Sequence, residues 1–488
     1  MSRRYQGKSD KLSVWRRRQH ETLLRKLKRS DLFNEAEAIS AQTVAEEATT
    51  TIPEHKRRKR GRKPLPDHIP RTRIEHDIPE HEKICACGRC KSRIGEAVSE
   101  QLDIVPAKIQ VLQHVRFKYA CTSCEGVEDD GPAVTIAPLP PQPIPKSNAS
   151  PGLLAHIVTA KFQDGLPLYR QETMFARIGV ELPRSTMANW MIRVGDLIRP
   201  LINLMQEVLL SYDVLQMDET TLQVLKEKGR AATSKSYMWV ARGGPPSSQV
   251  ILFTYDPSRS SAVPLALLAD YEGYLQTDGY DGYTAVAKRE GIIHVGCLAH
   301  ARRKFDEAIK AQAKHKTGRG GLAKQGFEMI QRIYRIEREA VEREFGPDER
   351  KRLRDEKAKP LWEEMRQWLE RSHGQAPPGT LTGKALGYLN TQWPRLIRYL
   401  DDGRLEADNN RTENAIRPFV MGRKAWLFSD TPAGADASAR LYSLIETAKA
   451  NRVEPYAYLR HVFTELPKAT TLAEIEALLP WNWSRQAD

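Results

Sequence analysis

A chain of 488 residues is too long for one ordinary domain and suggests two to four folding units. With 40% hydrophobic and 28% charged residues it can bury a core, which excludes wholesale disorder, and no apolar run approaches the roughly 20 residues that cross a bilayer. The net charge of +14 is uneven: residues 1–75 hold 20 Lys or Arg against 10 Asp or Glu, the balance either of an arm that meets polyanions or of a solvated tail.

The first residues lack the apolar stretch of a signal peptide, so the expectation is a soluble cytoplasmic protein with no membrane partner. Residues 1–48 read as a basic helical segment, too irregular for a coiled coil, and 49–83 as a polar, Pro-punctuated linker. A cysteine-rich module follows at 84–130, with 99–119 reading as two strands that fold back. The proline-rich stretch 137–147 then leads to a helical region at 148–210.

From Tyr212 the texture becomes strand-like. VLQMDET, SYMWVARGG, QVILFTYDPS, GYLQTDGYDG and IIHVGCLAH are short apolar or alternating runs separated by turn signals. Helical spacing returns with ARRKFDEAIKA and persists to about 400, with Leu361, Trp362, Met365, Trp368 and Leu369 on one face. DNNRTENAIRPFV predicts a helix entered from Asp408 or Asn409 and stopped near Met421-Gly422. The fold class expected is α/β multidomain.

Five of the six cysteines lie between 85 and 124. Cys87-x-x-Cys90 and Cys121-x-x-Cys124 form two pairs that suit a tetrahedral structural Zn²⁺, with Cys85 competing for one place; five free thiols are the alternative. Four thiolates leave no open position, which excludes catalytic zinc. Arg60, Arg62 and Lys63, in KRRKRGRKPLP, form a strip suited to phosphates or to a narrow minor groove. LPLYRQETMFARIGVELPRSTMANWMIRV has a helix-turn-helix outline in which Ser185 caps a second helix that could offer Asn189 and Arg193 to a major groove. Ordinary packing with Trp190 in a core gives the same signature.

The carboxylates are most informative. Asp218 ends the apolar run VLQMD, Asp278 ends YLQTD, and Glu413 lies on the helix of DNNRTENAIRP. Three carboxylates converging on two hard cations are what phosphodiester chemistry needs. His300 and Arg303, after the fifth run, could contact a scissile phosphate or the DNA backbone, or could simply form a basic helix start. Cys297 stands alone and reads as a core residue rather than a nucleophile.

On GRKPLPDHIPR, IGEAVSEQLDIVPAKIQVLQHVRFKYAC, LPLYRQE, QMDET, LQTDGYDGY, CLAHARRKFDEA, RYLDDGRLEADNNRTENAIRPFVMGRKAWLF and YSLIETAKANRVEPYAYL, the chain resembles the DDE transposases of the insertion-sequence family numbered sixty-six, the TnpC type, from about residue 55 onward. The resemblance implies a triad at Asp218, Asp278 and Glu413 with a divalent metal, normally Mg²⁺. It also implies an RNase H-like catalytic core, split into 211–320 and 401–435 by a helical insertion at 321–400, with a helical region at 436–488. The implied partners are double-stranded DNA, namely element ends and target, two small companion proteins of the same element, and further copies of the chain assembled on DNA. The implied location is the bacterial cytoplasm, at the nucleoid. Two departures stand out: RYQGKSDKL lies almost at the start, where family members often carry a longer zipper-like helix, and the Cys-Gly at Cys87 has its partner cysteine, Cys85, one residue closer than usual.

Two other functions fit the same motifs. A non-catalytic zinc-finger regulator would bind DNA only, and a nuclease on the same fold would cut without joining.

Overall fold

The alternating runs after Tyr212 pair into one five-stranded sheet. The structure, a computed structural model, describes residues 109–120, 134–314 and 321–483. The expected N-terminal helix, Arg60, Arg62, Lys63, Cys85, Cys87, Cys90, Cys121 and Cys124 all lie outside the described residues.

Two units are distinct, divided after Leu139. In the first, β1 (Lys118–Ala120) and β2 (Val134–Ile136) pair antiparallel, with Tyr119 opposite Thr135. Residues 109–117, expected as strand, form none: Val111, Leu112, Val115 and Phe117 are exposed and gain nothing from a sheet face.

The second unit opens with four helices, α1 (Pro151–Phe162), α2 (Leu168–Arg177), α3 (Arg184–Leu197) and α4 (Arg199–Leu210). Ser150 Oγ accepts from the Leu153 N–H and starts α1. Between α2 and α3 the chain turns through Gly179, whose positive φ of 79° favours a residue without a side chain. The cap expected from Ser185 is not what starts α3. Glu172, on α2, reaches across the turn and accepts from the Arg184 N–H at 3.0 Å, which fixes the two helices together.

The sheet comprises β3 (Val214–Gln223), β4 (Lys235–Gly243), β5 (Val250–Asp256), β6 (Gly273–Gln276) and β7 (Ile292–Val295), with a short helix, α5 (Ala262–Leu267), before β6. Its order is β5-β4-β3-β6-β7. β4 runs antiparallel to its neighbours β3 and β5, and β6 and β7 run parallel to β3. After β7 come α6 (Leu298–Lys314), α7 (Leu322–Glu342), α8 (Pro347–Leu353), a π-helical turn at Arg354–Ala358, α9 (Lys359–Ser372) and α10 (Leu381–Leu396). The chain closes with α11 (Asn410–Trp426), α12 (Pro432–Ala450), α13 (Pro455–Glu465), α14 (Leu472–Glu476) and α15 (Pro480–Trp483).

β5 is an edge strand, and a sheet edge presents a row of unpaired backbone groups. α12 covers it with a polar stripe. Thr447 Oγ1 accepts from the Ile251 N–H at 3.0 Å, Ser443 Oγ from Phe253 at 2.7 Å, and Asn451 Oδ1 from Gln249 at 3.1 Å. Four helical residues rise about 6 Å and two strand residues about 6.7 Å, so an i, i+4, i+8 stripe matches every second strand amide.

The apolar residues divide into two clusters. One joins Leu154, Trp190, Leu215, Phe253, Phe419 and Tyr442, so α1–α4 share a core with the sheet, α11 and α12. The other runs from Val295 and Phe305 through Ile333, Trp362 and Leu386 to Leu405, giving α7–α10 a core of their own against α6. Among the described residues no helix is long and apolar enough to cross a membrane.

A candidate carboxylate site at the sheet opening

β3 and β6 are paired as far as Gln216 opposite Gln276. β6 ends there, while β3 continues to Gln223 against β4. Asp218 therefore lies in mid-strand and not at a strand end as expected, because Glu219 and Thr221 keep their pairing to Trp239 and Tyr237. The parallel ladder, however, opens immediately before it. Asp218 and Asp278 each lie two residues beyond the Gln216–Gln276 pair, and a step of two returns a strand side chain to the same face. Their side chains thus start from adjacent positions at the mouth of that opening.

The two glutamines form a floor below the acids. Gln216 Nε2 donates to Gln276 Oε1 at 2.6 Å, and Gln276 Nε2 donates to the Glu406 carbonyl at 2.8 Å. Thr412 Oγ1 donates to Gln216 Oε1 at 3.3 Å, and Asn409 Nδ2 donates to the Met217 carbonyl at 2.9 Å. These bonds moor the start of α11 to the strand that carries Asp218. Glu413 follows Asn409 by one helical turn and is 4% exposed, near enough to Asp218 for its charge to act there.

Electrostatics agree. Burial first, then the charges of Glu219, Asp278 and Glu413, push the Asp218 carboxyl well above the usual range, against the Glu219 N–H that it accepts at 2.8 Å. Carboxylates held this close repel one another unless a proton or a cation intervenes. Asp278 accepts from the Tyr280 N–H at 2.9 Å, which shapes the loop that carries it. Glu219, although acidic and adjacent, is occupied elsewhere: Arg259 Nε donates to its Oε1 at 2.8 Å and Tyr283 Oη to its Oε2 at 2.6 Å. Arg259 in turn stacks 3.7 Å above the Tyr280 ring, tying this network to the Asp278 loop.

His300 and Arg303 face the protein interior at this site. His300 is 5% exposed, its Nε2 3.9 Å from Glu413 Oε1, and Arg303 Nη2 lies 3.7 Å from Glu413 Oε2. Burial lowers the His300 pKa to about 4, with Arg303 and Lys304 acting in the same sense against Asp278, so its ring is neutral at pH 7 and the contact with Glu413 is not an ion pair. Cys297 is buried, as its sequence reading expected, and its Sγ accepts from the Asn409 N–H at 3.2 Å. Arg193 stands on the exposed side of α3 with Asn189, while Trp190 is in the core.

The helix that carries Glu413 begins where expected, after Asn409, but ends later than expected. Asn409 precedes it but spends its side chain on Met217, and Asp408 Oδ1 instead accepts from the Asn410 N–H at 3.0 Å. The helix runs through Gly422 to Trp426. Gly422 is there for close packing, since a Cβ would meet the Tyr442 hydroxyl at 2.5 Å. Gln216 and Gln276 were missed by the sequence reading, which took Asn409 only as a helix start and not as a tie to β3. The available signal was a glutamine two residues before each strand aspartate.

Comparison with known proteins places the chain. The description "Transposase IS66 family" matches residues 146–437, "IS66 C-terminal element" matches 443–481, "zinc-finger binding domain of transposase IS66" matches 82–125, and "Transposase C of IS166 homeodomain" matches 13–74. Three uncharacterized proteins of Sinorhizobium fredii are similar over most of their length. y4jD is 33% identical over 86% of this chain and 81% of its own, y4qI 34% over 98% and 88%, and y4hP 29% over 92% and 81%. No solved structure matches. With the carboxylate site inside the first of these matches, and the other three accounting for the flanking segments, the chain belongs to the IS66 family of transposases.

Proposed function

We propose that this chain is a DDE transposase that binds the terminal inverted repeats of an insertion sequence and catalyses metal-dependent cleavage and strand transfer. The observation that carries the proposal is the register of Asp218 and Asp278, each two residues past one glutamine pair, with Glu413 moored above them through Asn409. A sheet of order β5-β4-β3-β6-β7, three strands antiparallel and two parallel, supports an RNase H-like core interrupted by a helical insertion.

The crowded acids suit divalent cations, and Asp218, Asp278 and Glu413 would hold two Mg²⁺. The chemistry these ions supply when bound is activation of the attacking oxygen and stabilisation of the leaving one. The strand fixes Asp218, the Tyr280 N–H fixes Asp278, and Arg303 both restrains Glu413 and is near enough to contact a scissile phosphate. His300, buried beside Glu413, would act on the carboxylate in preference to the DNA backbone. In the first step water attacks the phosphodiester at the element end, and the 3′-oxygen leaves as a hydroxyl. In the second that hydroxyl attacks a target phosphodiester and displaces a target 3′-oxygen. Both are in-line displacements at phosphorus, so one site serves both.

The exposed side of α3, with Asn189 and Arg193, would read the ends. The strip at Arg60, Arg62 and Lys63 would bind phosphates, and the cysteine module would hold structural Zn²⁺ on four of Cys85, Cys87, Cys90, Cys121 and Cys124. Assembly into oligomers on paired ends, aided by two small companion proteins of the element, completes the reading.

The test is strand transfer with labelled, pre-cut element ends and a target plasmid in Mg²⁺. Joined products are expected. Nicking without joining would make the chain a nuclease, and binding alone a regulator. Neutralising Arg60, Arg62 and Lys63 together is expected to weaken binding and flatten its dependence on log salt by up to ~2.7, at about 0.9 for each phosphate no longer neutralised. An unchanged slope, measured by titration at several salt concentrations, would make the strip a solvated linker.

A further inference from the structure

One cluster beside the carboxylates differs from them in chemistry. Cys297 Sγ, a His300 ring nitrogen and a Glu413 carboxylate oxygen all lie within 4.8 Å of one another, and all three residues are buried. Cys297 immediately precedes α6 and His300 is three residues on, so the start of one helix turns both towards the first turn of α11. The Asn409 N–H, which donates to Cys297 Sγ, holds the sulfur facing that turn.

We propose that Cys297, His300 and Glu413 form a second metal site, selective for a borderline-soft divalent cation of the zinc type, which shares Glu413 with the three-carboxylate site. Thiolate and imidazole favour zinc, cobalt and cadmium, whereas Mg²⁺ takes oxygen ligands in octahedral geometry. Three protein ligands with a fourth position open are also the composition of non-structural zinc sites. On binding, the thiol proton leaves to solvent, and the thiolate and carboxylate together neutralise the dication. Arg303, 3.7 Å from Glu413, is the counter-charge such an ion would displace, which weakens the site and makes its occupancy reversible. The alternative is that the three groups only pack together.

The site makes a regulatory link that rests on the proposed function. An ion seated on Cys297 and His300 takes Glu413 away from the Mg²⁺ set, so zinc-type ions inhibit the Mg²⁺-dependent reaction.

The test uses the full-length chain, first saturated with Zn²⁺ and dialysed so that the cysteine module is filled. It is then titrated with Co²⁺ while thiolate-to-cobalt charge-transfer absorption is followed. Wild type is expected to take up one Co²⁺ more than Cys297→Ala or Cys297→Ser and to show a sulfur band that both variants lack. Glu413→Gln, nearly isosteric and so a guard against misfolding, is expected to weaken that equivalent by more than the roughly 10–100-fold typical of losing an outer-shell partner. Equal cobalt uptake and equal absorption in wild type and both Cys297 variants would overturn the site. This readout does not depend on DNA, so it decides the metal site even if the chain proves inactive in strand transfer. In an active chain, Co²⁺ added over Mg²⁺ is expected to slow wild type and to spare Cys297→Ala, each relative to its own rate in Mg²⁺ alone. Equal inhibition of the two would overturn the link to Glu413.

Discussion

Asp218→Asn, Asp278→Asn and Glu413→Gln are each expected to lower cleavage and strand transfer together by on the order of 10²–10³-fold or more, with end binding retained. The substitutions are nearly isosteric, so the glutamine floor and the Asn409 mooring survive. Each removes a formal charge from a group of acids whose mutual repulsion a bound cation would relieve, and a neutral amide is a poorer ligand for Mg²⁺ than a carboxylate. Replacing Mg²⁺ by Ca²⁺ in wild type is expected to leave binding and suppress turnover, because the larger ion takes looser, variable coordination. Two neighbouring acids serve as controls. Asp281 is exposed at the start of a 3₁₀ turn, and Glu406 is ion-paired with Arg411 at 2.8 Å. Asp281→Asn should therefore keep most activity. The measurement is joining of labelled ends, with binding followed on the same preparations. If Glu413→Gln joined ends at the wild-type rate while Asp281→Asn failed, the triad would be wrong.

What the sequence disclosed and what it hid follow from the range of the interactions involved. The strands were legible because alternation is local, and the segment carrying Glu413 read as helix because its spacing and N-terminal polar residues are local too. Asp218 was misplaced at a strand end because VLQMD looks complete by itself. Only the β4 partner, some twenty residues on, shows that pairing continues. Gln216 and Gln276 gave no chemical signal singly and acquire meaning only when β3 and β6 lie in register. Ser443 and Thr447 on α12, with Asn451 just after its end, resemble a solvated polar face, yet they meet the amides of an edge strand. The role of Trp190 in the core and the exposure of Asn189 and Arg193 could not be separated by a pattern that both readings share.

Arg354→Met is expected to loosen the candidate site from a distance, destabilising its surroundings by about 3–5 kcal/mol. In the sequence Arg354 sits within the highly charged run KRLRDEKAK. In the structure it is fully buried in the π-helical turn. Its Nε and Nη2 donate to the two Glu337 oxygens at 2.9 and 2.7 Å, and its remaining donors reach the carbonyls of Tyr399, Asp402 and Leu405 at 2.8, 2.9 and 2.8 Å. Those carbonyls belong to the segment that leaves α10 and enters α11. Arg354 therefore fixes the path of the chain towards Glu413, helped by the Tyr334 hydroxyl of α7, which donates to Asp408 at 2.8 Å. Methionine fills similar volume but leaves a carboxylate and three carbonyls without their donor, and uncompensated buried polar groups are what make such losses large. Hydrogen exchange should show lost protection over 399–413, with the sheet amides of β4 and β5 still protected. Strand transfer should fall, while DNA binding, if it runs through α1–α4 as proposed, should persist. Adding Glu337→Met should restore part of the stability, because removing both partners relieves the stranded charge. An unchanged thermal midpoint together with unchanged exchange in 399–413 would show that Arg354 does not position the Glu413 helix.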